Sequence, residues 1–136
     1  MEPKVRVEQV ATQRGAMPGR WKVTWRIENL GAQPLKILAA RCPHGKFRCE
    51  EREITPAADL EPDQNAHVEL EVLCREPSGS VVENAFLILR VLWDGNPWLI
   101  LARLRVAMNG DGSPITATEL ITAQPVGFSL RETDVE

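Results

Sequence analysis

Between positions 21 and 29 the chain reads WKVTWRIEN, and no other feature restricts its fold as strongly. Trp21, Val23, Trp25 and Ile27 alternate with Lys22, Thr24, Arg26 and Glu28. In an extended strand this period of two puts the apolar side chains on one face and the polar ones on the other. A helix would scatter the same residues around its axis. The segment therefore reads as a half-buried strand whose apolar face needs a second layer over it. NLGAQP (29–34) follows, with the Asn, Gly and Pro of a turn.

The rest of the chain repeats this pattern. LKILAARC (35–42) reads as a strand, and FRCEEREI (47–54) as a weaker one whose alternating charges suit a sheet edge. TPAADLEPDQNA (55–66), with two prolines, reads as a long polar connection. HVELEVLC (67–74) alternates again, with Val68, Leu70, Val72 and Cys74 on one face, and REPSGSVVEN (75–84) reads as a loop. AFLILRVLW and WLILARLRVAM flank DGNP (94–97), which predicts a hairpin. After the NGDGSP turn (109–114), ITATELITA (115–123) is either a short helix started by Ser113 and Pro114 or a strand, which its Thr and Ile content favours. PVGFSL (125–130) adds a last short strand, and RETDVE (131–136) a flexible tail. With an N-terminal strand from Lys4 to Thr12, the expectation is one all-β domain over 1–130. Its architecture would be an antiparallel two-sheet β-sandwich of about seven to nine strands.

The run WKVTWRIENLGAQPLKIL resembles the second and third strands of immunoglobulin-like modules common in bacterial proteins. In those an alternating strand ends in Asn and Gly, and a Pro-Leu step opens the next. The resemblance implies an immunoglobulin-like or fibronectin-like fold and no particular activity.

Several function classes are disfavoured. The net charge is -3, without the concentrated positive charge that nucleic acid or anionic lipid requires. The longest apolar runs, AFLIL and WLILA, are too short to span a bilayer. MEPKVRVEQV does not read as a signal peptide, and the cysteine count of 3 is odd, so a cytoplasmic, reducing location is expected. No phosphate loop, nucleophile elbow or cysteine beside a plausible histidine base on rigid strands is present, so a non-catalytic protein without a cofactor is expected.

RCPHGKFRC (41–49) places Cys42, His44 and Cys49 close together. Its CPHG resembles the Cys-Asn-x-His-Gly element of superoxide reductases, but that iron site uses four histidines and this chain has 2. A structural zinc would need the distant His67 as a fourth ligand. Parity along 35–42 places Leu38, Ala40 and Cys42 outward with Lys36, and parity along 67–74 places Cys74 inward. A four-residue PHGK turn would set Cys42 opposite Phe47 and Cys49 opposite Ala40. The two cysteines would then be diagonal neighbours about 7–8 Å apart, marginal for a disulfide. A turn with incidental thiols is the plainer reading; a metal or redox site is the alternative.

The hairpin carries the most distinctive signal. With a four-residue turn, Trp93 would face Trp98, closing an all-apolar inner face that includes Leu87, Leu89, Ile100 and Leu104. The opposite face carries Phe86, Ile88, Arg90 and Leu92 on one strand and Leu99, Leu101, Arg103 and Arg105 on the other, with Leu38 extending it from a neighbour. The expected pairs are Leu92 with Leu99, Arg90 with Leu101, Ile88 with Arg103 and Phe86 with Arg105. A solvent-facing sheet would be polar there. Apolar residues set among arginines are a typical interface composition. Either residues 115–130 cover this face, or it binds a protein partner or a second copy. Otherwise it holds an anionic ligand; a small-ligand or carbohydrate site at the arginines or tryptophans is the alternative reading.

Overall fold

A computed structural model of the chain describes residues 1–127. The strands are β1 (Val5–Arg14), β2 (Arg20–Asn29), β3 (Leu35–His44), β4 (Phe47–Leu60), β5 (Asn65–Leu73), β6 (Val81–Trp93), β7 (Asn96–Met108) and β8 (Pro114–Pro125). All ladders are antiparallel, and the described residues contain no helix. The alternation in β2 holds throughout: Trp21, Val23, Trp25 and Ile27 are all buried. Residues 115–123 are strand, within β8. The tail 131–136 and the last three residues of PVGFSL lie outside the described residues.

The strands form one sheet in the order β1-β2-β5-β4-β3-β6-β7-β8 rather than two separate sheets. β4 and β5 share a single register pair, Arg48 with Leu73, so the sheet folds sharply at that seam. β1, β2 and β5 are the neighbouring strands on one side of that seam, and β4, β3, β6, β7 and β8 those on the other. Between them Trp25 of β2 meets Phe47 of β4 edge to face, ring centres 6.2 Å apart.

The outer edges of β1 and β8 come together through side chains, which nearly closes the sheet into a barrel. A bulge between Gln9 and Ala11 marks where β1 turns its register. Gln9 donates to the Pro114 carbonyl (3.2 Å) and accepts from the Thr116 amide (2.7 Å). The Thr118 hydroxyl donates to the Val7 carbonyl at 2.9 Å. From the interior, the Trp25 indole N–H donates to the Thr116 hydroxyl at 3.1 Å. These bonds occupy edge groups that would otherwise be open to another chain.

Four local expectations are corrected. Residues 55–60 continue β4 instead of starting a connection. The β3–β4 register jumps from Ala58 to Glu53, leaving 54–57 out of the ladder, and this stretch holds Pro56, which has no N–H to give. Residues 81–84 belong to β6 rather than a loop. The β6–β7 turn is the two residues Asp94 and Gly95, both at positive φ, as the primed hairpin turns require. Its pairs are Leu92 with Pro97, Arg90 with Leu99, Ile88 with Leu101 and Phe86 with Arg103; Trp98 faces Val91 instead of Trp93. The slip is two residues, so every side chain keeps its face.

The candidate interaction face

The outer surface of β6 and β7 is the face singled out above. Phe86, Arg90 and Leu92 on β6, and Leu99, Leu101 and Arg103 on β7, are half-buried; Ile88 is buried and Arg105 exposed. β8 lies beside β7 in the sheet, pairing Leu99 with Gln124, Leu101 with Thr122 and Arg103 with Leu120. Residues 115–125 therefore widen the face instead of covering it, and Leu120 adds a 49% exposed apolar side chain. On the other flank a bulge between Ile37 and Ala39 breaks the β3 register. Leu38 is half-buried beside the patch, while Ala40 turns inward.

Each arginine has an acidic neighbour. Arg90 reaches Glu53 at 2.8 Å and Glu51 at 3.3 Å. Arg105 reaches Glu83 at 3.2 Å, and Arg103 lies 3.8 Å from Glu119. The face is apolar along its middle and carries both signs of charge around it. These pairs are solvent-exposed and add little stability.

The bulge in β3 also corrects the thiol geometry. Past it, the inward set becomes Ala40 and Cys42, so Cys42 is fully buried instead of pointing out. The β3–β4 turn is Gly45 and Lys46, which pairs His44 with Phe47 and Cys42 directly with Cys49. His44 Nδ1 accepts the Lys46 amide at 3.0 Å and shapes the turn. His67 is exposed on β5 opposite Arg26 and does not join this cluster. Among the described residues no three metal-ligating side chains are grouped to hold an ion. Cys74 points inward as expected, its thiol 3.7 Å from the Met108 sulfur.

The structure holds two notable clefts, of which sequence reasoning missed the first and weighed the tryptophans of the second. One lies at the β4–β5 seam, has a volume of about 340 Å³ and is lined by Arg20, Arg48, Cys49, Arg52 and Glu71 among others. It exists because those strands stop pairing there, which only the topology reveals. The other, about 540 Å³, is lined by Trp93, Trp98, Pro97, Pro125 and Val126. Its two indoles meet edge to face at 5.9 Å. The NGDGS segment is a turn in which Asp111 accepts from the Ser113 amide (3.0 Å) and hydroxyl (2.7 Å). Those bonds hold the Asp111 carboxyl below its ordinary range.

No family model and no curated protein matches the chain. Among solved structures it is similar to an X-ray structure of Northeast Structural Genomics Consortium target SoR45. The two are 13% identical over 92% of this chain and 86% of that one, with a TM-score of 0.30. That superposition is too loose to transfer a fold or a role. The class defined by the structure itself, over the described residues, is an all-β fold of eight antiparallel strands in a nearly closed sheet. Among the described residues no helix is long and apolar enough to cross a membrane.

Proposed function

We propose that the protein is a non-catalytic assembly module that pairs with a second copy of itself through the β3-β6-β7-β8 face. One observation carries this reading: a half-exposed apolar strip, with Leu92, Leu99 and Leu101 along it, has no segment of the described chain over it. The charge pattern favours a second copy over an unrelated partner. A two-fold interface sets a surface against itself, so it must carry both signs. Arg90, Arg103 and Arg105 with Glu51, Glu53, Glu83 and Glu119 meet that condition. The size also fits. Four strands spaced about 4.8 Å apart and about 40 Å long present roughly 700–800 Å², close to the roughly 800 Å² per partner of a stable interface. The arginines' existing glutamate partners count against a free anion as occupant.

The test is sedimentation equilibrium over a concentration series, on the wild-type chain and on Leu101→Glu. The reading expects a dimer that Leu101→Glu converts to a folded monomer. A wild-type monomer at every concentration, or a dimer indifferent to Leu101→Glu, overturns it.

The immunoglobulin-like reading belongs here too. It is supported by the grouping of β1-β2-β5 against β3-β6-β7, which resembles the first-second-fifth and third-sixth-seventh strand groups of such sandwiches. A second functional reading, a small-ligand or carbohydrate site, is favoured by the paired indoles lining the cleft of about 540 Å³. Quenching or a shift of tryptophan emission on titration with sugars, lost in Trp98→Ala, would favour it.

A further inference from the structure

We propose that Cys42 and Cys49 form a reversible dithiol–disulfide pair that reacts with small, negatively charged disulfides, with Cys49 as the entry thiol. The geometry carries the first part. The two residues are direct partners across the β3–β4 ladder, and both are free thiols. Direct antiparallel partners have Cα atoms about 4.5–5.5 Å apart, within the roughly 4.4–6.8 Å that a disulfide spans. Both side chains point to the same side, Cys42 with no exposed surface and Cys49 with 8%.

Access assigns the order of reaction. Cys49 lines the seam cleft, and both cysteines line a smaller adjoining cleft of about 180 Å³. A reagent entering the seam meets Cys49 first, and Cys42 lies behind it. The charge around the opening selects the reagent. Arg20, Arg48 and Arg52 stand there against Glu50 and Glu71, and Arg48 is already engaged with Glu50. Arg20 and Arg52 remain against Glu71, an excess of positive charge that attracts an anion; the two arginines favour the thiolate of Cys49, while burial, Glu50 and Glu71 oppose it.

The chemistry balances as two exchanges. The Cys49 thiolate attacks one sulfur of the small disulfide, whose S–S bond breaks, and the first small thiolate leaves and takes a proton from water. Cys42 then loses its proton to water and attacks Cys49 Sγ, expelling the second small thiol. The chain loses two protons and two electrons; the small disulfide gains them and becomes two thiols. Burial and the adjacent Cys49 raise the Cys42 thiol's pKa, and burial, with Glu50 and Glu71, raises that of Cys49 despite Arg52 and Arg20. Below the pKa of Cys49 the first exchange therefore accelerates about tenfold per pH unit, following its thiolate fraction.

The experiment treats the full chain with oxidised glutathione, which is anionic, or cystamine, which is cationic, and follows products by intact and peptide mass spectrometry. The expected product has lost two hydrogens and contains a Cys42–Cys49 cross-link. Cys42→Ala should stop at a glutathione adduct on Cys49, and Cys49→Ala should leave Cys42 unmodified while the chain stays folded by circular dichroism. At low salt oxidised glutathione should outrun cystamine several-fold, and the gap should narrow in salt. Unreacted thiols, an adduct arising first on Cys42 or Cys74, or a faster reaction with cystamine would each overturn the proposal.

Discussion

Asn29 shows how one residue organises a turn from inside the core. It has no exposed surface, yet its amide is satisfied: Nδ2 donates to the carbonyls of Gln33 (2.9 Å) and Leu60 (3.0 Å), and Oδ1 accepts the Gly31 amide (2.9 Å). Asn29→Ala should cost about 1–3 kcal/mol by leaving those carbonyls unpaired, read as a lower urea midpoint. Trp25 is also fully buried, and it bonds to Thr116 across the interior. Trp25→Ala should cost about 3–5 kcal/mol; a loss below about 1 kcal/mol would place the side chain outside the core. Cys42 gives the pH dependence. Its thiol stays protonated in the folded chain well above the range where an unfolded thiol ionises. The unfolded chain therefore binds fewer protons above pH about 8.5, and stability should fall there by up to about 1.4 kcal/mol per pH unit. Cys42→Ala should reduce that alkaline slope in urea titrations run at successive pH values, leaving the part that the raised Cys49 and Cys74 thiols contribute.

Strand behaviour here depends on what each strand meets. β2 is regular because both its neighbours, β1 and β5, run alongside most of it. β3 begins in phase with its own pattern but slips at Leu38, where β4 leaves 54–57 out of the ladder. That slip turns Ala40 and Cys42 inward and makes the thiol pair. β8 depends on β1 for its outer edge. Gln9→Ala removes two bonds across that gap, so amide hydrogen exchange should speed up at Thr116 and its neighbours while β6 stays protected. Uniform acceleration through β6 would mean that the closure holds the whole barrel together and not its edge alone.

For the molecule as a whole, association and stability should be linked. If the β3-β6-β7-β8 face pairs two copies, the melting temperature should rise with protein concentration, because dimerisation draws on the folded state alone. Leu101→Glu should remove that dependence while preserving a cooperative transition. The thiol pair lies on β3 and β4, at the seam, whereas the strip around Leu101 runs along β6 and β7. Because β3 carries both Cys42 and the face residue Leu38, the oligomeric state of the oxidised chain should be measured beside that of the reduced one.

What the chain determined by itself is the two-sidedness of its strands. Alternation is local, and it records which side of each strand is dry; this is why the buried set of β2, the inward Cys74 and the apolar–arginine face of β6 and β7 were all legible. The two hairpins are each two residues tighter than their turn residues indicated, which changed the cross-strand partners but no faces. What the tertiary structure decided is everything that depends on the strand lying opposite. The bulge at Leu38 reversed the direction of Cys42, the near-absence of β4–β5 pairing opened the seam cleft, and the Gln9 bonds drew β8 against β1 to close the sheet. Each of these arises from backbone groups seeking partners far away in the chain, and a period-two pattern carries no record of which partner arrives.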